Sequence, residues 1–154
     1  MENNTSVCFV IPGEPYGKGR PRFSNAGAYV RTYTPEKTAS YENLVKLTYS
    51  RQCAGFRFAK ETALDVRIMA YYKIPKSAGK KKAQLMREKA IRPTVKPDYD
   101  NIGKIVCDAL NGIAYHDDAQ IVDAMIRKFY SDTPRVQVII QSVNQNQKEE
   151  HEHE

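Results

Sequence analysis

Residues 98–123 read DYDNIGKIVCDALNGIAYHDDAQIVD. In the first half, Ile102, Ile105, Val106, Ala109 and Leu110 recur at helical spacing, which predicts a helix over 98–110 with one buried stripe. Asn111-Gly112 is its stop signal. Asp117-Asp118-Ala119-Gln120 reads as a turn or a single helical turn, and it feeds a strand over 121–130. A helix delivered through a short return into a strand places this chain among mixed α and β folds.

The flanks agree. Residues 62–72 (TALDVRIMAYY) alternate Leu64, Val66, Ile68 and Ala70 inward with Asp65, Arg67 and Met69 outward, a strand of period two. Residues 135–143 (RVQVIIQSV) form a last strand, which residues 131–134 would join to strand 121–130 as an antiparallel hairpin. Near the start, Ser6 to Ile11 is a short β-rich run halted by Pro12 and Gly13. Residues 12–35 are rich in Gly and Pro, with a small hairpin expected around Asn25-Ala26-Gly27. Thr34-Pro35-Glu36 opens a helix ending near Gly55, with Thr as cap and Pro at its first position. A basic helix is expected over 76–90, and the prolines of 91–97 demand extended chain or loop. The reading is one α+β domain over 1–143, a small mixed sheet packed with helices in the order β-α-β-α-α-β-β. The polar, acidic residues 144–154 are expected to be a disordered tail.

With 154 residues and 17.6 kDa, a single core of ordinary size is available. Cys8, Cys53 and Cys107 are scattered with no CxxC, against a disulfide framework or a Cys-based zinc site. The first residues lack the basic start and apolar run of a signal peptide, and no stretch approaches the roughly 18–20 apolar residues of a membrane span. A soluble cytoplasmic protein is the expectation.

The net charge of +6 is unevenly spread. Residues 73–96 hold nine basic residues against the single acid Glu88, a net +8. Residues 98–123 hold six Asp against Lys104, a net −5. The acids have a bland reading: Asp is a favoured cap, and one negative charge stabilises a helix N-terminus by about 0.3–1 kcal/mol. Two pairs, Asp98 with Asp100 and Asp117 with Asp118, are harder to absorb that way. The helix must return to Asp117 through a short connection, so the pairs are expected near one another at a sheet edge. Close carboxylates repel unless a cation neutralises them, and hard oxygen ligands suit Mg²⁺ or Mn²⁺. Lys104, four residues after Asp100, is either an ordinary ion-pair partner or a clamp on a phosphate oxygen. Asp108 is expected to be solvated, Asp123 to face outward from a strand, and His116 to be a surface turn residue.

Lys80-Lys81-Lys82 alone would be a solvated face. Beside a carboxylate cluster, and with Lys18, Arg20 and Arg22 interleaved with Tyr16, Phe23 and Tyr29, the basic segments suit a polyanion gripped through phosphates with rings stacking on bases. Two motifs fail on inspection. Residues 13–19 (GEPYGKG) are one residue short of a phosphate-binding P-loop and lack its Ser/Thr. Pro97-Asp98 with Lys104 has no acid two residues before the lysine, as a PD-(D/E)xK nuclease requires. Together, the carboxylate cluster and the two basic segments suggest metal-assisted cleavage of a nucleic-acid phosphodiester.

Asp98-Tyr99-Asp100-Asn101-x-x-Lys104, Cys107-Asp108-Ala109-Leu110-Asn111-Gly112 and Asp117-Asp118-Ala119-Gln120-Ile121-Val122 closely resemble the RusA family of Holliday-junction resolvases, common in bacteriophages and prophages. Gly17-Lys18-Gly19-Arg20-Pro21-Arg22 and Thr32-Tyr33-Thr34-Pro35 are similar to a longer branch of that family. The resemblance implies a homodimer that cuts two opposed strands of a four-way DNA junction with Mg²⁺. It places catalytic carboxylates on Asp98, Asp100 and Asp118, and the essential lysine on Lys104. Asp117 matches as an additional metal-ligand candidate. Lys18, Arg20, Arg22, Lys80, Lys81, Lys82 and Arg87 are the candidate DNA contacts by charge density. His116 and the long basic segment 76–96 depart from the family's minimal form. Two rivals stand beside this reading: a binding module for branched or single-stranded DNA without catalysis, and a metal-dependent nuclease of lower structural selectivity.

Overall fold

The alternation in 64–73 and the helical stripe in 98–110 both become real elements in the computed structural model, which describes residues 4–18, 22–26, 29–33 and 36–144. The elements run β1 (Ser6–Pro12), β2 (Arg22–Ala26), β3 (Tyr29–Tyr33), α1 (Glu36–Gln52), β4 (Leu64–Lys73), α2 (Lys80–Arg87), α3 (Tyr99–Ala109), a 3-10 turn (Asp118–Gln120), β5 (Ile121–Ser131) and β6 (Arg135–Ser142). β2 and β3 form a separate two-stranded hairpin. The others build one mixed sheet in the order β1-β6-β4-β5, with β4 and β5 parallel and the remaining pairs antiparallel. Fold class and element order are as the sequence predicts. The Thr34-Pro35 cap and residues 145–154 lie outside the described residues.

One face of the sheet is the core. Leu64, Val66, Ile68 and Ala70 of β4 and Val136, Val138 and Ile140 of β6 are buried there against Val45 and Tyr49 of α1 and Ile102, Ile105 and Val106 of α3. Each large aliphatic side chain so buried contributes about 1.5–3 kcal/mol. The opposite face carries Arg67, Met69 and Tyr71, and α2 packs against β5.

Two sequence expectations are corrected. β5 and β6 are not a hairpin, because β4 lies between them. The connection crosses two strand spacings, about 10 Å, which a few extended residues span. Arg135 ties this corner by donating from Nη1 to the Thr133 carbonyl at 2.8 Å and to Ser131 Oγ at 3.2 Å. The basic helix is also shorter than 76–90. The Ala78 amide bonds the Pro75 carbonyl in a turn, and the cap position is Gly79, which offers no side-chain acceptor. Three lysines then oppose the helix dipole in the first turn. At the other end Lys89 takes φ +65°, and the Ala90 and Ile91 amides fold back onto the Leu85 carbonyl.

Candidate nuclease site

Helix α3 carries the acidic residues at its two ends. Asp98 is its N-cap, with an extended backbone (φ −70°, ψ 153°) whose carbonyl accepts from the Ile102 amide at 3.1 Å. Its carboxylate makes no capping hydrogen bond and is exposed. Asp98 therefore fills the cap position without doing a cap's work.

The corner that presents it is braced from three sides. The Tyr72 hydroxyl donates to the Pro97 carbonyl, and the Lys18 amide donates to the Asn101 carbonyl at 3.1 Å. Gly17 passes so close that a Cβ there would sit 2.8 Å from the Pro97 Cβ. Lys128 donates from Nζ to the Val95 carbonyl at 2.7 Å and lies 5.0 Å from the centre of the Tyr72 ring. Burial, then the charge of Asp98, push the Tyr72 hydroxyl up; burial lowers Lys128 while Asp98 opposes that shift. Asp98 and Asn101 face Lys18 and Lys96 across a recess of about 340 Å³.

Asp100, Lys104 and Asp108 follow at four-residue spacing along α3. Asp100 and Lys104 are exposed, and among the described residues they form no ion pair with each other. Asp108 is not solvated as expected: Lys18 Nζ reaches its Oδ2 at 2.7 Å and Glu42 at 3.6 Å. The hydrogen bond to Asp108 raises the Lys18 pKa. A lysine read as a DNA contact thus pins the chain leading out of β1 to α1 and α3.

At the far end, the buried Tyr115 donates its hydroxyl to the Cys107 carbonyl at 2.6 Å and anchors the return loop. Asn111 Oδ1 accepts the Asp118 amide at 2.8 Å. Asp117 is a working cap: its carboxylate accepts the Ala119 amide at 2.9 Å, and Gln120 Oε1 accepts the amides of His116 and Asp117 at 2.9 and 3.2 Å. The bond from Ala119, and one from Asp118, hold the Asp117 carboxyl below its usual range. Asp118 behaves oppositely. Burial, reinforced by Asp117 and Asp108 beside it, pushes its carboxyl up to about 6. His116 and Asp123 are exposed, as the sequence suggests.

The return loop brings Asp118 beside Asp108, which lies two turns of α3 on from Asp100, a rise of about 12 Å along the helix axis. Among the described residues no three Asp, Glu, His or Cys side chains gather to hold a metal ion. Each end nonetheless offers hard oxygen donors of the kind Mg²⁺ takes: Asp98 and Asp100, unspent on capping, and Asp118, crowded by Asp108 and Asp117.

Of the basic residues, Lys80, Lys81 and Lys82 are exposed in the first turn of α2, and Arg87 grips Asp132 with Nε at 2.7 Å and Nη2 at 3.2 Å. Arg22 opens β2, and Arg20 lies outside the described residues. Sequence reading missed Tyr72 and Lys128, both strand residues far along the chain from Asp98, which no local spacing could flag. Cys8, Cys53 and Cys107 are free thiols, and no described helix is long and apolar enough to cross a membrane.

A Bacillus subtilis (strain 168) protein described as uncharacterized protein YqaN is 39% identical over 140 residues, covering 90% of this chain and 97% of its own length. Residues 12–141 match the family described as Endodeoxyribonuclease RusA, a span that holds β4, β5 and all of β6 but its last residue, only Pro12 of β1, and every aspartate discussed above. The chain belongs to the RusA endodeoxyribonuclease family.

Proposed function

We propose that this member of the family is a crossover-junction endodeoxyribonuclease, cutting four-way DNA by paired nicks in opposed strands during recombination and repair, in a phage or prophage setting. The observation that carries the reading is the N-terminal corner of α3. It displays Asp98 and Asp100, and the Asp98 carboxylate, free of any capping bond, borders a recess that Lys18 and Lys96 also line. A merely structural Asp at that position would be capping the helix.

Asp98, Asp100 and Asp118 are the residues that would hold Mg²⁺, with Mn²⁺ as substitute and Asp117 as an auxiliary. The ion would supply Lewis-acid stabilisation of charge at a phosphodiester and a water of lowered pKa. The protein's own part is positional. Tyr72, Gly17 and the Lys18 amide fix the backbone on either side of Asp98 and Asp100, so the two carboxylates are held before substrate arrives. Lys104, exposed and outside any ion pair with Asp100, would hold a non-bridging phosphate oxygen one turn along. A homodimer is the form that would deliver two nicks to one junction. In such a homodimer each protomer would bring its own Asp98, Asp100 and Asp118 to one of the two opposed strands.

The test is Asp98→Asn assayed on a synthetic four-way junction with Mg²⁺. Cleavage should fall on the order of 100-fold or more while binding and melting temperature hold, because no capping bond is lost. Cleavage near the wild-type rate would remove Asp98 from the site. Equal cutting of linear duplex by the wild type would favour the less selective nuclease, and Mg²⁺-insensitive binding without nicks would favour the binding module.

A further inference from the structure

Beyond the Asp98 recess, two more open in sequence around the end of the sheet. The first shares Pro15, Lys96 and Pro97 with a second recess of about 330 Å³, floored by Tyr72, Lys73 and Tyr130. Tyr130 also borders a third, of about 300 Å³, lined by Arg87, Lys89 and Arg135. Along this path six basic residues meet three acids, and one of the acids, Asp132, is already held by Arg87.

The third recess stands on an ordered platform. Arg135, Tyr71 and Phe129 are cross-strand neighbours on β6, β4 and β5. The Arg135 guanidinium lies 4.0 Å from the Tyr71 ring centre, and the two rings stack at 5.6 Å. Arg92 and Lys89 cover Phe129 at 4.5 and 4.9 Å. Arg135 is further fixed through Nη1, and Arg92 through Nε on the Lys128 carbonyl at 3.0 Å. Covering an aromatic ring needs one cation, and here three are spread over two rings, with both guanidinium heads held in place. Guanidinium groups fixed this way lose little rotamer freedom on meeting a phosphate, the anion they match best.

The geometry points to a second DNA contact: a strand leaving the Asp98 recess follows Lys96 and Lys73 around the sheet end, and Arg87, Lys89, Arg92 and Arg135 hold its backbone phosphates. This rests on the reading of the chain as a junction nuclease and extends it by naming the path of the bound strand. The sequence could suggest Arg87 and Lys89 only as members of a basic run, and had no means of adding Arg135.

The experiment measures binding of a fluorescent four-way junction in EDTA across a salt series, using the full chain. Arg87→Gln/Lys89→Gln should weaken binding about tenfold and lower the slope of log affinity against log salt by about 2, since each lost phosphate contact removes about 0.9. Asp132→Asn should act in the opposite direction, tightening binding about threefold. Lys37→Gln/Arg51→Gln, an equal charge loss on α1, should leave the slope in place. An unchanged slope in a folded Arg87→Gln/Lys89→Gln protein, or an equal loss in the α1 variant, overturns the proposal. If the slope falls as expected but the wild type cuts no junction in Mg²⁺, the nuclease reading fails and the DNA path stands.

Discussion

Asp98 and Asp117 each occupy the N-cap of a helical segment with an extended backbone, yet only Asp117 uses its carboxylate as a cap. Their partners differ as well. Asp100 is exposed on the first turn of α3, whereas Asp118 is partly buried between Asp117 and Asp108. At one end, acids that could have stabilised a helix are left uncommitted. At the other, one acid is spent on structure and its neighbour is held at a cost. The carboxylate left without a capping bond therefore differs between the ends: that of the cap residue at the α3 N-terminus, and that of the residue after the cap at the β5 entrance.

The sharpest way to break this comparison is to neutralise Asp118. Asp118→Asn should reduce junction cleavage on the order of 100-fold or more without lowering the melting temperature. Its effect on stability has a definite sign. A carboxyl raised to about 6 in the folded protein binds more protons there than in the unfolded chain between roughly pH 4 and 6. Its contribution to stability thus worsens as pH rises through that window and stays unfavourable above it. In metal-free protein, Asp118→Asn should melt higher than wild type at pH 7, and the difference should vanish near pH 4. A variant that melts lower at pH 7 would show Asp118 to be a structural acid like its neighbour.

The strap over the α3 N-terminus offers the next largest effect. Gly17→Ala places a methyl 2.8 Å from the Pro97 Cβ and 3.1 Å from the Asn101 Cβ, against a proline ring and a helix start that have little freedom to yield. Overpacking of this kind costs about 1–3 kcal/mol, or displaces the strap. Cleavage should fall further than stability, because the displaced element borders the Asp98 recess; thermal melting and single-turnover cleavage together make the measurement. Equal losses in both would place the strap outside the site.

Much of this was legible in the sequence because the signals are local. The period of two in β4, the stripe on α3 and the Asn111-Gly112 stop depend on neighbours within a few residues, and Gly112 indeed takes φ +74°. The motif around Asp98 was legible for the same reason. The hairpin expected from residues 131–134 failed because turn chemistry says that a chain reverses, and cannot say whether another strand slips between the two arms. Only pairing along the whole of β4, with β6 on one side and β5 on the other, decides that. Distance along the chain hid Lys18 as well. Its partner Asp108 is ninety residues away, so charge density could not reveal the ion pair that the fold gives it.

Asp117 supplies the smallest effect and the finest cut. Asp117→Ala removes the acceptor for the Ala119 amide and should cost about 1 kcal/mol, whereas Asp117→Asn keeps a competent cap and should cost a few tenths at most. The pH dependence should run opposite to that of Asp118. A carboxyl held below its ordinary range contributes stability above that range and loses it as pH falls through the folded value. The gap between wild type and Asp117→Ala should therefore be full at pH 7 and close under acid, measured by chemical denaturation at several pH values. If alanine and asparagine are equally destabilising, Asp117 is held for its charge and not its cap. The division of labour between the two ends of α3 would then have to be redrawn around two charged residues at β5 instead of one.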